Sequence, residues 1–217
     1  MDESQLEAIA SQLSCPQGEA GIVTGNNMNL LNAFITARAL EKLGASAAET
    51  IVEIGPGNGC LSEDLLSTLG VDGNYYAIEL SEEMANEARQ RLSNCDCRVE
   101  IMHCDCHHAN IPEQSADGII AVNLLYFIDD LHALFQLLKT WMKPGGRVVF
   151  GVRSDKSLNS LPFVHYKFNV RTPEEMMKIM RSNGFTDVDC SYYDEGEMML
   201  GEISLTVDSV IIHGRLP

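Results

Sequence analysis

The segment that most constrains this chain is Thr50–Ser62, TIVEIGPGNGCLS. Ile51, Val52 and Ile54 form a short β-branched run that reads as a buried strand. Gly55-Pro56-Gly57-Asn58-Gly59 ends it, because such a run neither continues a strand nor starts a helix with ordinary torsions. Leu61, Leu65, Leu66 and Leu69 then recur at helical spacing. The order is strand, glycine turn, helix. In that order a ligand can touch bare backbone, and the helix start offers unpaired N–H groups to an anion.

Spacing separates the cofactor classes that use such a turn. A P-loop ends in Gly-Lys-Ser/Thr, and Asn58-Gly59-Cys60 stands there instead. A dinucleotide fingerprint counted from Gly55 and Gly57 needs its third glycine at position 60, which is Cys60. What remains is E-x-G-x-G-x-G, built from Glu53, Gly55, Gly57 and Gly59.

Further apolar strands follow in order. Asn74–Leu80, NYYAIEL, ends in Glu79 and Leu80, and Ser81 is placed to cap the next helix, with Glu82 and Glu83 in its first turn. A carboxylate at a strand end suits ribose, since it accepts from both hydroxyls in charge-assisted bonds. Arg98–Asp105, RVEIMHCD, is expected as a third strand and Ala116–Val122, ADGIIAV, as a fourth, the latter nearly continuous in apolar residues as a parallel sheet requires. A helix is expected over Asp129–Met142, a turn at Lys143-Pro144-Gly145-Gly146 and a fifth strand over Arg147–Val152. Thr172-Pro173-Glu174-Glu175 is a capping box opening a helix that ends at Asn183-Gly184. Two last strands, Phe185–Tyr193 and Ile203–His213, are expected around a turn at 194–201.

With Glu53-x-Gly55-x-Gly57-x-Gly59, Glu79, Asp105, Asn123 and the KPGG turn in this order, the chain resembles the class I S-adenosylmethionine (SAM)-dependent methyltransferases. It looks most like their small-molecule branch, the ubiquinone/menaquinone-biosynthesis type. The resemblance implies an α/β, Rossmann-like sheet of seven mostly parallel strands with an antiparallel terminal hairpin and helices on both faces. It implies SAM as cofactor and S-adenosylhomocysteine as product. It also implies that Asp105 accepts from the adenine amino group, that the Cys106 N–H meets a ring nitrogen, and that Glu53, Leu80 and Asn123 belong to the cofactor site. In DNA and some protein methyltransferases the fourth strand ends in Asn/Asp-Pro-Pro-Tyr. Asn123-Leu124-Leu125-Tyr126 keeps the outer pair and replaces both prolines, which argues against amino-adenine methylation.

Residues 1–49 are expected to form a helical cap. Leu6, Ile9, Ala10 and Leu13 share one face of a first helix, Cys15–Gly18 breaks it, and a second helix starts after Asn26-Asn27 and stops at Gly44. These helices either cover a sheet edge or form a lid, with a Gly21–Asn29 loop at the mouth. Residues 50–217 are expected to form the methyltransferase domain that the resemblance implies. Within it, 154–171 shows no clean period but gathers Phe163, His165, Tyr166 and Phe168, and it reads as an acceptor-binding insertion or a plain surface loop. Tyr126 and His165 are the candidates for a general base, should the acceptor need one.

A net charge of −16 across 217 residues, with no Lys/Arg cluster, excludes nucleic acid as an expected partner. No 18-residue apolar run exists, so no membrane span is expected. The N-terminus is unlike a signal peptide, and seven scattered cysteines read as reduced thiols in a cytoplasmic protein. His103, Cys104, Cys106, His107 and His108, with Cys95 and Cys97 nearby, raise zinc or thiol chemistry as a rival. Adjacent strand residues point to opposite faces, however, and the expectation is no metal. The alternatives kept beside a small-molecule methyltransferase are a protein or nucleic-acid methyltransferase, an aminopropyl transferase, and a SAM-holding regulatory subunit without turnover.

Overall fold

The computed structural model describes residues 2–200 and 203–217. Seven strands form one sheet in the order β3-β2-β1-β4-β5-β7-β6. β1 (Thr50–Ile54), β2 (Asn74–Glu79), β3 (Arg98–His103), β4 (Ala116–Val122) and β5 (Met142–Val152) pair in parallel. β6 (Thr186–Leu200) and β7 (Ile203–Arg215) form the antiparallel hairpin, with β7 inserted against β5. This is the expected Rossmann-like architecture.

The central strands are buried on both faces, and their side chains alternate between two cores. Val52, Ile119, Val148, Phe150 and Ile212 point to one. There α5 (Leu131–Trp141) contributes Leu134, Phe135 and Leu138, and α7 (Pro173–Ser182) contributes Met176 and Met180. Ile51, Ile120, Val149 and Ile211 point to the other, against Ile35, Ala39 and Leu43 of α2 (Gly18–Leu43) and Leu65, Leu66 and Leu69 of α3 (Glu63–Leu69). The period-two alternation of β-branched residues therefore feeds two layers at once.

The N-terminal segment corrects one expectation. α1 (Glu3–Ser14) opens on an Asp2 capping box, and Cys15-Pro16 ends it. α2 is then continuous from Gly18, so the expected Gly21–Asn29 loop is helix. Its glycines serve close approach and not a turn. A Cβ at Gly21 would sit 2.7 Å from the Pro16 backbone carbon, and one at Gly25 would sit 2.4 Å from Met84 Sδ on α4 (Glu82–Arg91). The Glu83 carboxylate accepts from the Gly18 N–H at 2.6 Å and supplies the cap that Gln17 does not. Gly44 ends the helix in the left-handed conformation, as expected.

Two further turns proved to be strand irregularities. The KPGG segment lies within β5, where the register against β4 shifts and Gly145 takes φ +79°. The Gly145 N–H donates to Leu216 O and the Leu216 N–H to Gly146 O, so the C-terminus completes the pairing. The turn expected after Tyr193 is a bulge at Gly196 (φ +79°), and β6 continues to Leu200; Gly201 lies outside the described residues. β3 ends at His103, two residues short of Asp105. The 154–171 segment holds a short helix, α6 (Asp155–Asn159), capped by Ser154. Among the described residues no helix is long and apolar enough to cross a membrane.

Candidate functional site

A cleft opens at the carboxyl ends of β1, β2, β3 and β4, roofed by α1 and α2. Its floor is the glycine turn. Gly55, Gly57 and Gly59 all have positive φ, at +75°, +60° and +75°. Gly57 has open space where a Cβ would stand, so that backbone is bare toward the cleft. A Cβ at Gly59 would come within 3.0 Å of Leu92 Cδ1, which presses the turn onto the end of α4.

Asn58, only 1% exposed, anchors the turn. Its amide oxygen accepts from Asn29 Nδ2 at 3.1 Å and from the Cys60 N–H at 3.2 Å. Its amide nitrogen donates to Asn26 Oδ1 at 3.2 Å and Glu87 Oε2 at 3.3 Å. Two helices, α2 and α4, therefore hold one loop side chain.

Glu79, the last residue of β2, stands in the cleft wall and is 6% exposed. The Gly57 N–H donates to its Oε2 at 3.0 Å and the Ser81 N–H to its Oε1 at 2.8 Å. Burial raises its pKa, and the backbone donors from Ser81 and Gly57 oppose that rise. A carboxylate has lone pairs beyond those two bonds. Glu53 lies deeper, and its Oε2 accepts from Ser62 Oγ at 2.8 Å and Tyr75 Oη at 2.7 Å. Burial raises its pKa as well.

At the end of β3, Asp105 caps a 3-10 turn, accepting from the His107 N–H at 2.8 Å with His107 Nδ1 at 2.9 Å. Burial would raise its pKa, but these His107 contacts outweigh it and hold Asp105 low. The buried Cys106 thiol is pushed up to about 11, by burial first and by Asp105 second. Asp105, Cys106 and His107 bring one ligand atom each within 4.8 Å of one another, whereas His103, Cys104 and His108 do not join them. The Asp105–His107 contact caps the 3-10 turn.

Asn123 ends β4 with φ +55°. Its Nδ2 donates to Asn32 Oδ1 of α2 at 2.8 Å, and its own Oδ1 is buried with no partner.

The structure thus brings Glu53, Gly55, Gly57, Glu79, Leu80, Asp105, Cys106 and Asn123 onto one wall, with Gly59 immediately behind. It does not bring Tyr126 or His165 there. Tyr126 is 4% exposed, stacked on Phe168 at 5.2 Å and edge-on to Phe127 at 4.8 Å; Phe127 is the member of that cluster that reaches the cleft. Burial raises the Tyr126 pKa well above the usual phenol value. His165 is exposed and off the cleft wall. Sequence reasoning offered the N-terminal helices as a lid with Gly21–Asn29 at the mouth, but did not single out the Asn29 and Asn32 side chains that face the site. The available signal was an asparagine-rich stretch, Asn26 to Asn32, inside an otherwise apolar helix.

A family of methyltransferase domains matches residues 51–146. Phosphoethanolamine N-methyltransferase 1 of Arabidopsis thaliana is 28% identical over 159 residues, 70% of this chain and 32% of that protein. Demethylmenaquinone methyltransferase of Clavibacter sepedonicus is 27% identical over 146 residues, 67% of this chain and 56% of that one. This chain spans a third or less of the length of the phosphoethanolamine relatives it matches. Among solved structures, a SAM-dependent methyltransferase from Aquifex aeolicus superposes with a TM-score of 0.69 at 17% identity, covering 97% of this chain and 98% of that one.

Proposed function

We propose that residues 51–146, which a family of methyltransferase domains matches, form a class I SAM-dependent methyltransferase domain, and that the chain binds SAM and methylates a small-molecule acceptor in the cytoplasm. The observation that carries this is Glu79, a buried carboxylate tied to the Gly57 N–H at the mouth of a bare-backbone turn. The residues fit the cofactor: open space over Gly57 leaves room for a chain against backbone, and acidic groups stand at the ends of β2 and β3. Glu79 would accept from ribose hydroxyls. Asp105 and the Cys106 N–H would take the adenine edge, and the turn and α3 start would take the methionine end. Leu80 and Met84 line the same wall and exclude water from it. When bound, SAM would supply an electrophilic methyl group for transfer to the acceptor's lone pair. The chain's task is then alignment and dehydration. α1 and α2, in residues 1–49, act as the lid, since Leu13, Pro16, Met28 and Asn29 face the cleft.

A second reading, a SAM-holding subunit without turnover, is favoured by one feature: no histidine or lysine lines the cleft among the described residues. Calorimetry with SAM and S-adenosylhomocysteine tests the shared premise; absence of heat with folded protein ends both readings. Release of S-adenosylhomocysteine across phenols, quinones, amines and thiols then separates them.

A further inference from the structure

We infer that the 3-10 turn after β3 is a binding site for a divalent cation of the zinc class, held by the Asp105 carboxylate, the Cys106 thiolate and the His107 imidazole, and that this ion and the nucleoside exclude one another. The run His103-Cys104-Asp105-Cys106-His107-His108 carries a possible metal ligand at every position. The cofactor reading uses only the Asp105 carboxylate and the Cys106 N–H. The metal site stands on its own geometry; the mutual exclusion rests on the adenine assignment above.

Along an extended strand, neighbouring side chains diverge. Here β3 has already ended at His103, and Cys106–His108 is a 3-10 turn. Asp105, Cys106 and His107 therefore converge, with one ligand atom each inside 4.8 Å, the one such group among the described residues. Cys106 Sγ lies 3.7 Å from His107 Nδ1. Tetrahedral zinc, with bonds of about 2.0–2.1 Å to nitrogen and 2.3 Å to thiolate, sets those two ligands about 3.6 Å apart. That edge already has the required length. Asp105 Oδ1 is 2.9 Å from His107 Nδ1, and the matching oxygen–nitrogen edge is about 3.3 Å. The carboxylate must draw back by roughly 0.4 Å to match it, and both side chains are exposed enough to move. Thiolate and imidazole select zinc-like ions over magnesium and calcium, which take oxygen. A net charge of −16 draws cations to the surface. As the metal–sulfur bond forms, the Cys106 proton leaves to solvent; burial holds that thiol at about 11, so binding works against this cost. Asp105 and Cys106 are on the cleft wall, with His107 outside it. An ion on Asp105 takes the carboxylate that the adenine amino group would use, so one ligand displaces the other.

The test is titration of the reduced, chelator-washed chain with cobalt chloride, whose thiolate complexes absorb in the near ultraviolet, followed by displacement with zinc chloride. A thiolate band that saturates, yields to zinc and is lost in Cys106→Ser is expected. No band in the parent, or a band that persists in Cys106→Ser, overturns the site. His107→Ala keeps the backbone N–H that caps the turn. It should weaken cobalt binding about tenfold or more, since even an outer-shell partner is worth that much; unchanged affinity overturns the three-ligand assignment. S-adenosylhomocysteine at about a hundred times its dissociation constant should raise that of cobalt on the order of a hundredfold. Cobalt affinity indifferent to S-adenosylhomocysteine, once calorimetry has registered the latter's binding, overturns the exclusion. If S-adenosylhomocysteine does not bind at all, that failure belongs to the earlier reading, and the cobalt band still decides the metal site.

Discussion

Glu79→Gln keeps the shape of the side chain and changes only its hydrogen-bond signs. In the parent both carboxylate oxygens accept, one from the Gly57 N–H at 3.0 Å and one from the Ser81 N–H at 2.8 Å. A glutamine can offer one oxygen. Whichever way its amide turns, an NH2 group meets one of those backbone donors and leaves it unpaired. An unsatisfied buried donor costs about 1–3 kcal/mol. For a chain of this length each kcal/mol lowers the melting temperature by about 2–4 °C, so a fall of roughly 2–12 °C is expected in differential scanning calorimetry. Under the proposed ribose contact, cofactor binding weakens as well. Exchanging a charge-assisted bond for a neutral one loses about 1–2 kcal/mol, which is on the order of tenfold in the dissociation constant for S-adenosylhomocysteine. A variant that melts with the parent and binds as tightly would refute both the loop anchoring and the ribose assignment.

Other expectations follow from single contacts. Glu53 is buried and its pKa lies above the ordinary 4.5, burial being the main cause. The folded chain therefore holds that proton more tightly than the unfolded one. The associated stability is full below 4.5 and is lost as pH rises through the folded value, so Glu53→Gln should flatten the decline of parent stability above pH 4.5 in denaturant titrations; parallel curves would refute this. Gly59→Ala forces a side chain into φ +75° and onto Leu92 Cδ1, costing about 1–2 kcal/mol for the backbone alone and lowering the melting temperature; an unchanged melt would show that the turn relaxes freely. Gly21→Ala drives a Cβ into the Pro16 backbone at 2.7 Å, where overpacking costs about 1–3 kcal/mol; urea unfolding checks it, and a neutral result would contradict the tight crossing before α2.

The parallel core was legible because each central strand is a β-branched run feeding two cores, as Ile51 and Val52 show by pointing to opposite layers. Glu79 reaches the cleft wall as the last residue of β2, whereas Asp105 lies two residues beyond β3 and reaches it as the cap of a 3-10 turn. The start of α2 was not legible. Gly21 and Gly25 read as loop residues, whereas contact with Pro16 and Met84 selects them for their missing Cβ, and that pressure comes from tertiary packing. The KPGG turn misled for a related reason: Gly145 and Gly146 are paired by Leu216, at the far end of the chain, and continue the strand. Local propensity cannot report partners that only folding supplies. The asparagines of α2 were passed over because polar residues in a helix ordinarily face water.

Asn58 gives those asparagines a consequence for how the site works. Because Asn26, Asn29 and Glu87 already grip its amide, the glycine turn is held in its positive-φ conformation with no ligand present. The ordering entropy of that turn is spent during folding and does not recur at each binding event. Truncating Asn58 would shift it to the moment of association, so that a slackened chain would bind the proposed cofactor more weakly, with a larger unfavourable entropy.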